Sequence, residues 1–121
     1  MAKKRVMIVD DSVMASRSLK SMVEDIEGFE VVGLAQNGAE AIKLFHTVKP
    51  DIICMDIIMP VMDGLSATRT ILQMSPQTKI IVISSVGGVD NKANEVLRLG
   101  AKIIICKPFD PLEIKERLLS L

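Results

Sequence analysis

Five short apolar runs, each followed by a stretch of helical period, decide what this chain can fold into. The runs are Val6-Met7-Ile8-Val9, Val31-Val32-Gly33-Leu34-Ala35, Ile52-Ile53-Cys54-Met55, Ile80-Ile81-Val82-Ile83 and Ile103-Ile104-Ile105-Cys106. Runs of this length, rich in Val and Ile, read as strands buried on both faces, as in a parallel sheet. After the first run, Ala15, Leu19, Met22, Val23 and Ile26 recur at helical spacing, with Asp11 or Ser12 placed to cap the start and Gly28 to cap the end. A second helix carries Ala41, Ile42, Phe45 and Val48 and stops before Pro50. A third carries Ala67, Ile71 and Met74 and stops before Pro76. A fourth buries Ala93, Val96 and Leu97 before Gly100, and a fifth opens on Asp110-Pro111-Leu112-Glu113, with Asp as N-cap, Pro at N1 and Glu at N3. Strict alternation with right-handed crossovers predicts a doubly wound α/β three-layer sandwich.

Open sheets of this kind bind ligands beyond the carboxyl ends of their strands. Asp10-Asp11 follows the first run, Asp56 the third, Ser84-Ser85 the fourth and Lys107-Pro108 the fifth. Each is ordinary alone: Asp10-Asp11 suits a helix cap, Asp56, Asp63-Gly64 and Ser84 suit turns, and Lys107 suits a solvated strand end. On adjacent strands, however, Asp10, Asp11 and Asp56 share one crevice, and like charges so close demand a compensating ion. An oxygen-only donor set favours a hard divalent cation, magnesium first and manganese as its substitute. With Lys107 and the Ser84 hydroxyl beside Asp56, the crevice suits a phosphoryl group carried on Asp56 itself. The Lys107-Pro108 bond, if cis, aims the lysine into that crevice.

At 121 residues the chain is long enough for one real core. Hydrophobic residues at 49% argue against disorder, and 15 basic against 15 acidic residues leave no net field for direct nucleic-acid binding. Lys3-Lys4-Arg5 precedes too short an apolar run for a signal peptide, and no run is long enough for membrane insertion, so a cytoplasmic location is expected. Cys54 and Cys106, the two cysteines, read as free thiols within strands. His46, near the end of the second helix, reads as a solvated or capping residue, and the eight methionines mostly as packing, with Met59 and Met62 placed to line a loop.

Five motifs in order, Val9-Asp10-Asp11-Ser12, Asp56-Ile57-Ile58-Met59-Pro60-Val61-Met62-Asp63-Gly64, Ser84-Ser85, Gly100-Ala101 and Lys107-Pro108-Phe109, resemble the receiver domain of two-component response regulators. The resemblance spans essentially the whole chain, 1–121, as one receiver domain. It implies a flavodoxin-like (βα)5 fold with parallel strand order 2-1-3-4-5. By the same resemblance a histidine kinase is the phosphodonor and Asp56 the acceptor. Asp11, Asp56 and the backbone carbonyl of Ile58 hold the metal, Asp10 acts through water, and Ser84 and Lys107 bind the phosphoryl oxygens. The expected output is a phosphorylation-dependent face for a downstream protein, drawing on Lys92, Ile104, Phe109 and Lys115. A phosphatase is a further expected partner, and turnover of a separate substrate is not expected. A chain of this length is most similar to the single-domain chemotaxis receivers.

Two departures stand out. Ile104 occupies the fifth-strand position where the family usually carries Tyr or Phe. Ile58 and Val86 are apolar where the family's side chains influence the attacking water, which implies a long-lived aspartyl phosphate. Competing readings are weaker. A magnesium-dependent phosphohydrolase needs an acid two residues after its nucleophile, where Ile58 stands. A flavodoxin-like cofactor carrier needs a Ser/Thr/Gly-rich loop after the first strand and aromatic residues, which make up 2% here. The receiver portion of a multidomain regulator, with a methylesterase or DNA-binding output, would read the same over these residues.

Overall fold

The computed structural model describes residues 3–57, 59, 61–84 and 91–121, the side chains of 91–93 excepted. Its elements alternate as β1 (Lys4–Val9), α1 (Val13–Glu24), β2 (Phe29–Ala35), α2 (Gly38–Val48), β3 (Ile52–Asp56), α3 (Gly64–Met74), β4 (Lys79–Ser84), α4 (Asn91–Leu99), β5 (Ile103–Cys106) and α5 (Pro111–Leu119). The sheet is parallel throughout, in the order β2-β1-β3-β4-β5.

The two-residue side-chain period of a strand splits each apolar run between two cores. Met7, Val9, Ile53, Met55, Ile80 and Val82 face one layer, where Ala41, Phe45, Ala67, Ile71 and Val96 of α2, α3 and α4 close over them. Val6, Ile8, Ile52, Cys54, Ile81 and Ile83 face the other, covered by Leu19 and Val23 of α1 and Ile114 and Leu118 of α5. A central strand buried on both sides has no polar face, which is why these runs are continuous rather than alternating. Among the described residues no helix is long and apolar enough to cross a membrane.

Local chemistry sets the helix ends. Ser12, Asn37, Asp63 and Asp110 are N-caps whose side chains accept from backbone N–H groups three residues on. Several expectations need correction. The C-cap of α1 is Asp25, not Gly28; Ile26 is buried beyond the helix, and Gly28, at φ +91°, makes the turn into β2 where its carbonyl accepts from Lys4 N–H. The second run forms the sheet edge, so Leu34 is exposed rather than core. Met74 and Leu97 are also exposed: Met74 ends α3 at the rim of the sheet, and Leu97 lies one residue, about 100° of helix, from the buried Val96. Both cysteines are free; Cys54 is buried and Cys106, on edge strand β5, half-buried.

Candidate metal site at the carboxyl end of the sheet

β1 and β3 are neighbours, with Val9 opposite Met55, so the residues that follow them emerge together. Asp10 is held from three sides. Its N–H donates to the Ala35 carbonyl at 3.0 Å, its Oδ1 accepts from the Ser12 N–H at 2.9 Å, and its Oδ2 accepts from Lys107 Nζ at 3.1 Å. Asp11, next in the chain, is exposed. Asp56 ends β3 with only 6% of its surface accessible, and its Oδ2 lies 3.8 Å from the same Lys107 ammonium. One carboxylate oxygen from each of Asp10, Asp11 and Asp56 lies within 4.8 Å of the others.

A single ammonium against three carboxylates leaves the crevice negative. Burial is the largest influence on Asp56, followed by the charge of Asp10; Lys107 opposes both, Asp11 adds to them, and the Ile57 N–H bond opposes again, with the carboxyl pushed up to about 6 from 3.8. The donor set is all oxygen, partly buried and under-neutralised, which fits a hard divalent cation of the magnesium kind.

Lys107 reaches the crevice from the end of β5 through a cis peptide to Pro108, as the X-Pro dipeptide allowed. Its backbone N–H donates to the carbonyl of Ser84 at 2.7 Å, tying the ends of β4 and β5 together. Ser84 itself is buried at the end of β4, one position beyond Ile83, which pairs with Asp56. The crevice thus unites Asp10, Asp11, Asp56 and Lys107, while Ser84 is tied to Lys107 through the backbone.

The other expected residues lie elsewhere. Ile104 is half-buried against the α2–α4 layer, Phe109 is half-buried against the α1–α5 layer, and Lys115 is exposed on α5. Ile58, Ser85 and Val86 fall outside the described residues, as does the side chain of Lys92. His46 is exposed in the last turn of α2, edge-on to Phe45. Met59 is buried and Met62 half-buried, and the Met62 carbonyl accepts from Gly38 N–H at 2.8 Å, which ties the β3–α3 loop to the start of α2.

One residue's part was missed by sequence reasoning. Gly64 stood out by turn chemistry and as the end of the second receiver motif, neither of which states its contact: its N–H donates to the Ile57 carbonyl at 2.8 Å, and a Cβ there would sit 2.1 Å from the Asp56 carbonyl oxygen. Only glycine lets α3 start this close to the backbone of Asp56. The available signal was the neighbouring Asp63, an N-cap residue immediately before it.

Comparison with known proteins agrees with this geometry. The response regulator receiver domain family matches this chain over residues 6–119. The chain is 43% identical over 115 residues to the chemotaxis protein CheY of Thermotoga maritima, across 95% of this chain and 94% of that protein. It is 40% identical over 115 residues to a protein-glutamate methylesterase/protein-glutamine glutaminase of Methanococcoides burtonii, across 93% of this chain but 32% of that protein. Among solved structures, it matches one in the CheX-CheY-BeF3-Mg2+ complex from Borrelia burgdorferi with a TM-score of 0.89 and 33% identity, across 98% of this chain and 89% of that one.

Proposed function

The chain belongs to the response regulator receiver domain family and is a CheY-like phosphoacceptor of two-component signalling, and from that premise we propose that Asp56 is the acceptor residue. The observation that carries this is the Lys107 ammonium set between Asp10 and the buried Asp56, at 3.1 and 3.8 Å. Asp56, as carboxylate, attacks the phosphorus of a phosphohistidine on the kinase. The new O–P bond forms as the N–P bond breaks, and the imidazole leaves with the electron pair.

Asp10, Asp11 and Asp56, with the carbonyl of Ile58, would hold magnesium, which when bound supplies positive charge to the transferring group's oxygens. This chain's own part is positional. Asp10, fixed by Ser12 and Ala35, orients Lys107. Lys107 is placed to leave Asp10 for the phosphoryl oxygens once a dianion is present, and Ser84 to donate its hydroxyl to them.

The Lys107–Ser84 backbone bond then links the site to the end of the sheet where β4 and β5 lie. A shift from about 1% to dominance of the active arrangement needs roughly 5 kcal/mol of differential interaction. Several charge-assisted bonds in a partly dry site are enough for that. The output face includes α5, where Leu112, Lys115 and Leu119 stand at i, i+3 and i+7 and are all exposed, the two leucines at 63% and 57%. An apolar stripe with a central cation suits a partner helix or loop carrying an acid.

The relative that matches this chain over 94% of its own length favours action as a separate receiver in chemotaxis. The methylesterase relative favours a receiver that governs an attached output domain. Intact mass after adding acetyl phosphate decides the acceptor reading. Uptake of one phosphoryl group that requires magnesium and is lost in Asp56→Asn is expected; undiminished uptake by that variant overturns it. The decay of the same mass peak measures the phosphoryl lifetime, expected to be long because Ile58 and Val86 cannot orient water.

A further inference from the structure

At the opposite pole of the sheet, where β1, β3 and β4 begin, a cavity of about 660 Å³ opens beside the carboxyl ends of α2 and α3. Lys3, Lys4, Lys49 and Lys79 line it against one carboxylate, Asp51. That carboxylate is engaged, since its Oδ2 accepts from the Arg5 N–H at 2.9 Å.

Lysines near helix ends commonly serve the last carbonyls of the helix. Here Arg5 already does so for α2, its Nη1 donating to the carbonyls of Val48 and Lys49. Among the described residues, the only ion pairs join Lys107 to Asp10 and Asp56, so Lys3, Lys49 and Lys79 have no acidic partner there. The Lys4 ammonium lies over the Phe29 ring, 6.0 Å from its centroid, so in a chain of zero net charge it is Lys3, Lys49 and Lys79 around one concavity that form a local excess, which an anion relieves.

The remaining lining mixes the apolar Phe45, Pro50, Ile52 and Met74 with His46 and the polar Ser75, Gln77 and Thr78. Phe45 and Ile52 are buried, and the exposed imidazole of His46 stands at 74° to the Phe45 ring. Met74, 42% exposed, also lines the cavity. An exposed imidazole and an exposed thioether side chain lining one cavity present surfaces on which a planar ring packs. The volume lies within the range of small-ligand sites, about 300–1,000 Å³.

We propose that this cavity binds a small polyphosphorylated ligand with a planar body, of the nucleoside di- or triphosphate class. The lysines take the phosphates, and His46 and Met74 take the ring. The site is separate from the acidic crevice, because the two lie at opposite ends of the same strands.

The test is a titration of the full chain with ATP, followed by amide NMR in the presence of chelator, with tripolyphosphate in parallel. The proposal expects saturable shifts confined to residues 3–5, 45–52 and 74–79. Loss of the ring in tripolyphosphate and loss of the cations in Lys49→Ala/Lys79→Ala are each expected to weaken binding about tenfold, the scale of one good contact. Arg17→Ala/Lys20→Ala, an equal loss of charge on α1, is expected to bind as the parent does. His46→Ala is expected to weaken ATP and leave tripolyphosphate unchanged. Absence of saturable shifts, shifts centred on the acidic crevice, equal binding of ATP and tripolyphosphate, or equal weakening by the α1 pair would each overturn it.

Discussion

Burial and two carboxylate neighbours make Asp56 costly to ionise in the folded protein, and that cost has a predictable pH dependence. Its carboxyl is pushed up to about 6 when folded, against an ordinary value of 3.8 in the unfolded chain. Both states are protonated below about pH 4, so no penalty exists there. Between about 4 and 6 the unfolded chain loses its proton first, and stability falls as pH rises, by on the order of 3 kcal/mol in all. Asp56→Asn removes that penalty. In metal-free buffer the variant is therefore expected to melt higher than the parent at neutral pH, with the gain vanishing as pH falls to about 4. A gain that grows toward acid pH would contradict the assignment. Lys107 acts on the same group with opposite sign, so Lys107→Ala is expected to raise the Asp56 carboxyl above about 6, measured by carboxyl-carbon NMR titration. The variant also leaves Asp10 buried without its cation, at an expected loss of about 1–3 kcal/mol.

At the scale of elements, the approach of α3 to the end of β3 is the tightest constraint. Gly64→Ala would place a methyl group 2.1 Å from the Asp56 carbonyl oxygen, so β3 or α3 must move. A loss of about 1–3 kcal/mol in urea unfolding is expected, with impaired phosphoryl uptake because the backbone that carries Asp56 has shifted. Most elements were legible in the sequence because continuous apolar runs alternate with segments of helical period. The apolar runs marked the strands, and Pro50, Pro76 and the Asp110-Pro111 start punctuated the helices. The misreadings fell where tertiary placement overrides local pattern. Leu34 is exposed because β2 is an edge, which no window of sequence states, and Gly28 serves the strand turn rather than the helix because α1 stops earlier. The carboxylate cluster was legible because strand ends mark it; the contact of Gly64 with Asp56 was not, because it is a distance between backbones.

The whole molecule places opposite charge at opposite poles of one sheet while its net charge is zero. The acidic pole is spread over 97 residues of sequence between Asp10 and Lys107, so assembling it requires the fold. A divalent cation that binds only there stabilises the folded state by about 2.7 kcal/mol at a hundredfold excess over its dissociation constant. Magnesium is therefore expected to raise the melting temperature of the parent and to raise that of Asp11→Asn much less, with chelator reversing the effect. The basic pole was invisible in the sequence, since Lys3, Lys49 and Lys79 come from three separate segments and meet only in three dimensions. The central claim, that this crevice exists to carry a phosphoryl group on one carboxylate, is tested most directly by locating the group. Borohydride reduces an aspartyl phosphate to homoserine, and peptide mass mapping then reads the position. Homoserine at residue 56 and nowhere else is the predicted result; homoserine at residue 10 or 11, or none in a protein that has gained phosphoryl mass, would contradict it.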